Sequence, residues 1–178
     1  MTGGKWWAGY SAVVFDLDGT LLDLDVDWER VNAEVGAVLE AAGLDPADYN
    51  TWEVLDGAAS VGLEDRVDRI IAKHEIAGAR NPERLPLADV LGDIDVPLGV
   101  VSLNAESAVL LALEIEGLRE DVAVVVGRDS VPERKPSPEP LMAAIADLGV
   151  DPDEVIYVGD SPDDETTARR AGVDFRSV

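Results

Sequence analysis

Cysteine is absent from the 178 residues, histidine occurs once (His74), and lysine only three times, at Lys5, Lys73 and Lys135. The first absence excludes disulfides, thiolate metal sites and a cysteine nucleophile. The second excludes a histidine-rich zinc site, so any metal is bound through oxygen, which favours Mg²⁺. No apolar run reaches membrane length, and no basic start leads into an apolar signal core. The expectation is a soluble, cytoplasmic protein. Basic residues number 14 against 37 acidic ones, for a net charge of −23. That balance speaks against nucleic acid or an anionic membrane as partner, since both need a basic surface. It fits a halophilic setting, a salt-rich cytoplasm that screens repulsion among carboxylates. A nucleic-acid mimic is the rival, but here the acids are spread along the whole chain.

What is present is a 47% hydrophobic chain, enough for one good core with a small accessory unit. Five short runs read as buried strands: Ala12–Asp16, Leu98–Ser102, Val122–Gly127, Val155–Gly159 and, more weakly, Val173–Phe175. Most are continuously apolar and rich in valine, as strands covered on both faces should be. Helical stretches separate the later ones: Glu106–Glu116, Pro138–Leu148 after Ser137 and before Gly149, and Asp163–Ala171 before Gly172. This alternation predicts an α/β fold, a doubly wound parallel sheet with right-handed crossovers.

The interval between the first two strands is far longer than one crossover needs. It holds helical patterns over Trp28–Ala42, Ala47–Asp56 and Leu63–Ala77, and no convincing strand; Gly57–Gly62 and Ala79–Pro86 read as hinges or loops. The predicted organisation is core over 1–22, a helical insertion over 23–85 packed above the sheet's C-terminal edge, and core over 86–178.

Four polar clusters follow the strands. They are Asp16-Leu17-Asp18-Gly19-Thr20, Ser102-Leu103-Asn104, Arg134-Lys135-Pro136-Ser137-Pro138, and Gly159-Asp160-Ser161-Pro162-Asp163-Asp164. In a parallel sheet all four converge on the edge where ligands bind. A buried strand does not normally end on two unpaired carboxylates, because desolvating each is costly. The Asp16-x-Asp18 pair makes sense beside a cation. Gly19 permits a tight turn, and the amides of 17–19 are candidates for an anion-binding nest.

In these four motifs the chain resembles the haloacid dehalogenase superfamily of hydrolases, of the phosphoglycolate-phosphatase-like kind, over residues 10–24 and 95–176; the insertion lies where that family carries its helical cap. The resemblance implies a Mg²⁺-dependent phosphatase that works through an aspartyl-phosphate on a small phosphorylated metabolite. Asp16 would be the nucleophile and Asp18 the general acid/base. Ser102 and Gly19 would hold phosphoryl oxygens, and Lys135 would neutralise nucleophile and phosphate. Mg²⁺ would be bound by Asp16, Asp18 (through its carbonyl), Asp160 and Asp164, with Asp163 in reserve. A dehalogenase on this fold does not need the acid at position 18. A phosphosugar mutase would keep the four clusters and differ in its cap, and a non-catalytic binding protein would tolerate loss of a motif acid, of which none is missing.

Plainer roles stand beside these. Ser102 also suits a helix N-cap, and Asp163 and Asp164 suit the start of a helix electrostatically. Asn104 falls one place later than the polar residue that often follows the family's second-motif Ser or Thr, because Leu103 intervenes. In the insertion, Arg66, Arg69 and Lys73 form a basic stripe that either meets an anionic leaving group or pairs with neighbouring acids. His74, on the apolar face, reads as packed; Trp6 and Trp7 read as covering a sheet edge or an oligomer contact. The oligomeric state is open.

Overall fold

The computed structural model describes residues 5–49 and 52–178. Its centre is a five-stranded parallel sheet of β1 (Ala12–Phe15), β4 (Leu98–Val101), β5 (Val124–Val126), β6 (Val155–Gly159) and β7 (Asp174–Ser177), in the order β5-β4-β1-β6-β7. β1 lies in the middle, between β4 and β6, so the chain after Phe15 emerges where the strand order reverses. That is the crevice where an open α/β sheet binds ligands.

Strand alternation divides the core in two. Val13, Phe15, Ile156 and Val158 face one side, with α4 (Glu106–Ile115) and Trp7. Ala12, Val14, Val155 and Tyr157 face the other, with α5 (Glu139–Leu148) and α6 (Pro162–Ala171). Each fully buried large aliphatic or aromatic side chain contributes about 1.5–3 kcal/mol, and this double-sided burial is why the strands read as unbroken apolar runs. Trp6 and Trp7 cover a sheet face: Trp6 meets Phe15 edge-on at 6.3 Å, and the Trp7 indole N–H donates to Asp95 at 3.1 Å.

The insertion forms α1 (Trp28–Ala41), α2 (Glu53–Ser60) and α3 (Glu64–Gly78), which enclose a third cluster around Val31, Leu39, Leu55, Val67 and Ile71. Asp27 caps α1, accepting from the Arg30 amide at 3.0 Å. Three expectations need correcting here. The helix expected over Ala47–Asp56 is a 3₁₀ turn at Pro46–Asp48 followed by α2, with positions 50–51 outside the described residues. Gly57–Ser60, expected as a hinge, is the second half of α2. Gly57 is there for close packing, since a Cβ would lie 2.7 Å from the Tyr49 ring. Finally, β2 (Leu22–Asp23) pairs antiparallel with β3 (Glu83–Arg84), a two-residue ribbon where the insertion leaves and rejoins the core. Two residues are too few to show a strand period in sequence.

Candidate active site

The parallel register sets Phe15 beside both Val100 and Val158, and Val101 beside Val126. The residues that follow therefore meet at one edge. Asp16, Asp18, Ser102, Lys135 and Asp160 line a single cavity of about 190 Å³. Gly19 and Asp164 do not line it but touch residues that do, Gly19 against Asp160 and Asp164 against Lys135.

Lys135 organises this wall. Its ammonium donates to Asp16 Oδ1 at 2.7 Å, Asp164 Oδ1 at 2.6 Å, the Tyr157 hydroxyl oxygen at 3.1 Å and the Val101 carbonyl at 3.3 Å. Burial pulls the Lys135 ammonium down, but Asp16 and Asp164 outweigh it and keep the group charged. Burial drives the Tyr157 hydroxyl well above its ordinary range, reinforced by the charges of Asp16 and Asp164. It is a fixed donor, to Asp164 Oδ1 at 2.8 Å. Nothing in the sequence marks Tyr157 as polar machinery, because it reads as one more buried strand residue.

Four carboxylates (Asp16, Asp18, Asp160 and Asp164) face this one ammonium. Burial pushes Asp16 up to about 7, with Lys135 pulling back and the charge of Asp164 adding to the rise. Burial likewise raises Asp18 to about 6, against the Leu24 amide that donates to its Oδ1 at 2.8 Å. Uncompensated negative charge of this kind calls for a cation. One oxygen each of Asp16, Asp160 and Asp164 lies within 4.8 Å of the others. This all-oxygen set fits a hard divalent ion such as Mg²⁺.

Within that set the members differ. Asp160 is exposed, whereas Asp164 is fully buried and heavily engaged. Its Oδ2 accepts from the Ser161 amide and hydroxyl at 3.1 and 2.6 Å, closing a capping box at the start of α6. Burial would raise Asp164, yet Lys135 holds it below the usual carboxylate range. Asp164 thus serves first to hold Lys135 and the turn that carries Asp160. Asp163 sits in the first turn of α6, where its carbonyl accepts from Thr167 Oγ1 at 2.7 Å. The side chain of Asp18 stands outside the three-acid cluster.

Gly19 departs from the nest expected for it. Its amide donates to the Leu22 carbonyl at 2.9 Å and so is taken up within the loop. Its φ of +83° and its closeness to Asp160 explain the glycine, since a Cβ would fall 2.6 Å from Asp160 Oδ2. Ser102 Oγ donates to Asn104 Oδ1 at 3.0 Å and accepts from the Asn104 amide at 3.1 Å. The out-of-place Asn104 therefore braces Ser102.

Two residues that sequence reasoning passed over hold this loop, Glu75 from the insertion and Arg128 from the core. Glu75, fully buried on α3, accepts from the Ala105 amide at 2.9 Å, from Asn104 Nδ2 at 3.4 Å and from Arg128 Nη1 at 2.7 Å. Arg128 also donates to Asp68 at 2.9 Å and to the Leu103 carbonyl at 2.6 Å. Burial disfavours its charge, but Glu75 and Asp68 more than restore it. An apolar helix face interrupted by one glutamate was the available signal for Glu75.

The insertion's share of the cavity wall, among the described residues, is aromatic. Trp28 of α1 and Trp52, just before α2, meet edge-on at 5.9 Å and 79°. The expected basic stripe does not reach the cavity. Lys73 Nζ lies 3.4 Å from Glu34, Arg69 donates to the Asp65 carbonyl at 3.0 Å, and neither they nor Arg66 line it. His74 is buried, with Nε2 3.3 Å from Glu34, and is likewise remote from the site.

Residues 87–178 match the family model described as haloacid dehalogenase-like hydrolase. The chain is 36% identical to a phosphoglycolate phosphatase of Rhodospirillum rubrum, over 91% of this chain and 76% of that one. It is 29% identical to the pyrophosphatase PpaX of Bacillus pumilus, over 94% and 82%. Among solved structures, a HAD-superfamily hydrolase from Geobacter sulfurreducens superposes with a TM-score of 0.62 at 25% identity, over 94% and 86%. CbbY from Rhodobacter sphaeroides, solved in complex with phosphate, superposes with a TM-score of 0.66 at 20% identity, over 94% and 85%.

Proposed function

The chain belongs to the haloacid dehalogenase-like hydrolases, and from that premise we propose that it is a Mg²⁺-dependent phosphatase of small phosphomonoesters, working through an aspartyl-phosphate. The observation that carries this is the contact of 2.7 Å between Lys135 Nζ and Asp16 Oδ1 at the sheet's C-terminal edge. A carboxylate so placed is held in one orientation by its own counter-charge. The division into core 1–22, cap 23–85 and core 86–178 belongs to the same proposal, as does a cytoplasmic, salt-rich setting. Supporting it are the insertion's separate apolar cluster and the acidic composition.

Asp16 attacks phosphorus in line with the ester oxygen, forming an acyl phosphate as the P–O ester bond breaks. Asp18, protonated at the outset, gives its proton to the departing alkoxide. As a carboxylate it then takes a proton from the water that attacks the same phosphorus, and inorganic phosphate leaves with Asp16 restored. Lys135 fixes Asp16 and offsets the phosphoryl charge, while Ser102, kept in place by the Asn104 amide, turns its one O–H from Asn104 Oδ1 to a phosphoryl oxygen. Asp16, Asp160, Asp164 and the carbonyl of Asp18 would hold Mg²⁺, which would supply the positive charge that lets a dianion approach a carboxylate. Pairing across Glu75 and Arg128 supports a closed cap that keeps bulk water from the first step.

The test is phosphate release from a panel of phosphomonoesters with and without Mg²⁺, together with acid-quench trapping of the phospho-enzyme. Turnover and a trapped phosphoryl group on Asp16 are expected, with both absent in Asp16→Asn. An Asp16→Ala protein that kept its turnover would sink the mechanism.

A further inference from the structure

We infer that the leaving-group side of this site selects small uncharged organic groups, apolar or aromatic, over leaving groups that carry a second anion; the inference rests on the phosphatase reading above. The cavity that holds Asp16 and Asp18 measures about 190 Å³. That is below the roughly 300 Å³ at which pockets for drug-sized ligands begin. Among the described residues, the insertion contributes only Trp28 and Trp52 to its lining. Both are half-buried, and their edge-on pairing at 5.9 Å makes an apolar wall in the cavity that the carboxylates line. An indole offers one N–H donor and no charge.

A second anion on the substrate would need a cation beyond Lys135, which is the only cation lining the cavity among the described residues and is already shared by Asp16 and Asp164. Arg134 is paired with Asp56, and Arg128 with Glu75 and Asp68, while Arg170, in the adjoining cavity that shares Lys135 and Trp52, donates to the Pro136 carbonyl and lies outside this one. Arg128 has one guanidinium nitrogen, Nη2, buried without a hydrogen-bond acceptor. Its guanidinium carbon lies 5.5 Å from the centre of the Trp52 ring, so the arene takes an acceptor's place for this cation. Arg128 does not line the cavity, whereas Trp52 does. A carboxylate or second phosphate on the leaving group would therefore meet an aromatic wall that offers it no cation. An alkyl or aryl group would be desolvated against two indoles.

Benzyl phosphate and phosphoglycolate make the comparison, because both release an alkoxide and differ in charge and apolar surface. Binding is read by calorimetry on Asp16→Asn with Mg²⁺, and turnover on the wild type. The expected result is a dissociation constant at least about ten-fold lower for benzyl phosphate, and kcat/KM in the same order. Trp28→Ala and Trp52→Ala should each narrow the benzyl-to-methyl phosphate ratio of kcat/KM by about ten-fold. Trp28→Leu and Trp52→Leu serve where the alanine variants fail to fold. Equal or tighter binding of phosphoglycolate overturns the inference. The benzyl preference in binding, with no phosphate released from any ester by the wild type, overturns the phosphatase reading and leaves the selectivity standing.

Discussion

Glu75 and Arg128 meet at 2.7 Å with side chains 0% and 3% exposed, one from the helical insertion and the other from the core. Breaking a buried pair from one side leaves a charge without its counter-charge, which costs about 3–5 kcal/mol, whereas replacing both partners by apolar groups is often neutral. Here Asp68 remains as a second partner of Arg128. Glu75→Leu is expected to destabilise by about 3 kcal/mol, a Tm drop of roughly 6–12 °C. Adding Arg128→Met should recover a large part of that loss, as a double-mutant cycle by thermal denaturation will show.

Lys135→Met removes the only described cation of the cavity and leaves Asp16 and Asp164 facing one another. Turnover is expected to fall about 1,000-fold, in the range seen on losing a group that stabilises developing charge. Lys135→Arg should restore little, because a planar fork cannot reproduce a point charge shared among four acceptors. Initial rates on any hydrolysed ester decide both.

Burial lifts Asp16 to about 7 and Asp18 to about 6 in the metal-free protein. A raised carboxylate pKa means the folded state holds its proton more tightly than the unfolded chain. These two groups therefore withdraw stability as pH rises from the unfolded value, near 4, through 6 and 7. Mg²⁺ needs the carboxylate form, so its uptake should release about one proton near pH 6 and almost none near pH 8.5. Its affinity should weaken as pH falls through 7. Calorimetry in buffers of different ionisation enthalpy measures the released proton directly.

Gly19→Ala places a methyl group 2.6 Å from Asp160 Oδ2 at a φ of +83°. The backbone strain is expected to cost about 1–2 kcal/mol. The displaced carboxylate should weaken Mg²⁺ binding about ten-fold, as changes close around a metal site do. Chemical denaturation and a Mg²⁺ titration separate the two effects, and unchanged Mg²⁺ affinity would remove Asp160 from the metal shell.

A net charge of −23 makes the folded chain repel itself. Raising salt from about 0.1 M to 1 M shortens the screening length from about 10 Å to 3 Å. Thermal stability should therefore rise over that range in KCl. A flat or falling Tm would refute the salt-adaptation reading.

Much of this molecule was legible in one dimension. The apolar runs that become β1, β4 and β6 announce themselves because both of their faces are buried, which removes the polar alternation. The carboxylates and the lysine stand out by following those runs. Legibility failed where a role depends on a partner that no local pattern identifies. Tyr157 looks like core until Lys135, 22 residues earlier, is found 3.1 Å from its hydroxyl. Gly57 looks like a hinge until the Tyr49 ring is found against it. The stripe of Arg66, Arg69 and Lys73 stood open between a substrate contact and pairing with neighbouring acids, because helical periodicity gives a face without saying what that face meets.

By itself, then, the sequence determined a parallel α/β core, a helical insertion after its first strand, and the set of acids and one lysine brought to a common edge. Each of these follows from local burial and from strand ends that a parallel sheet must gather together. Only the tertiary structure decided how those residues divide the work, with Asp164 holding Lys135, Gly19 making room for Asp160 and Asn104 bracing Ser102. It alone decided that the insertion turns two tryptophans and a buried glutamate toward the site, because which faces meet depends on packing between segments that no local pattern encodes.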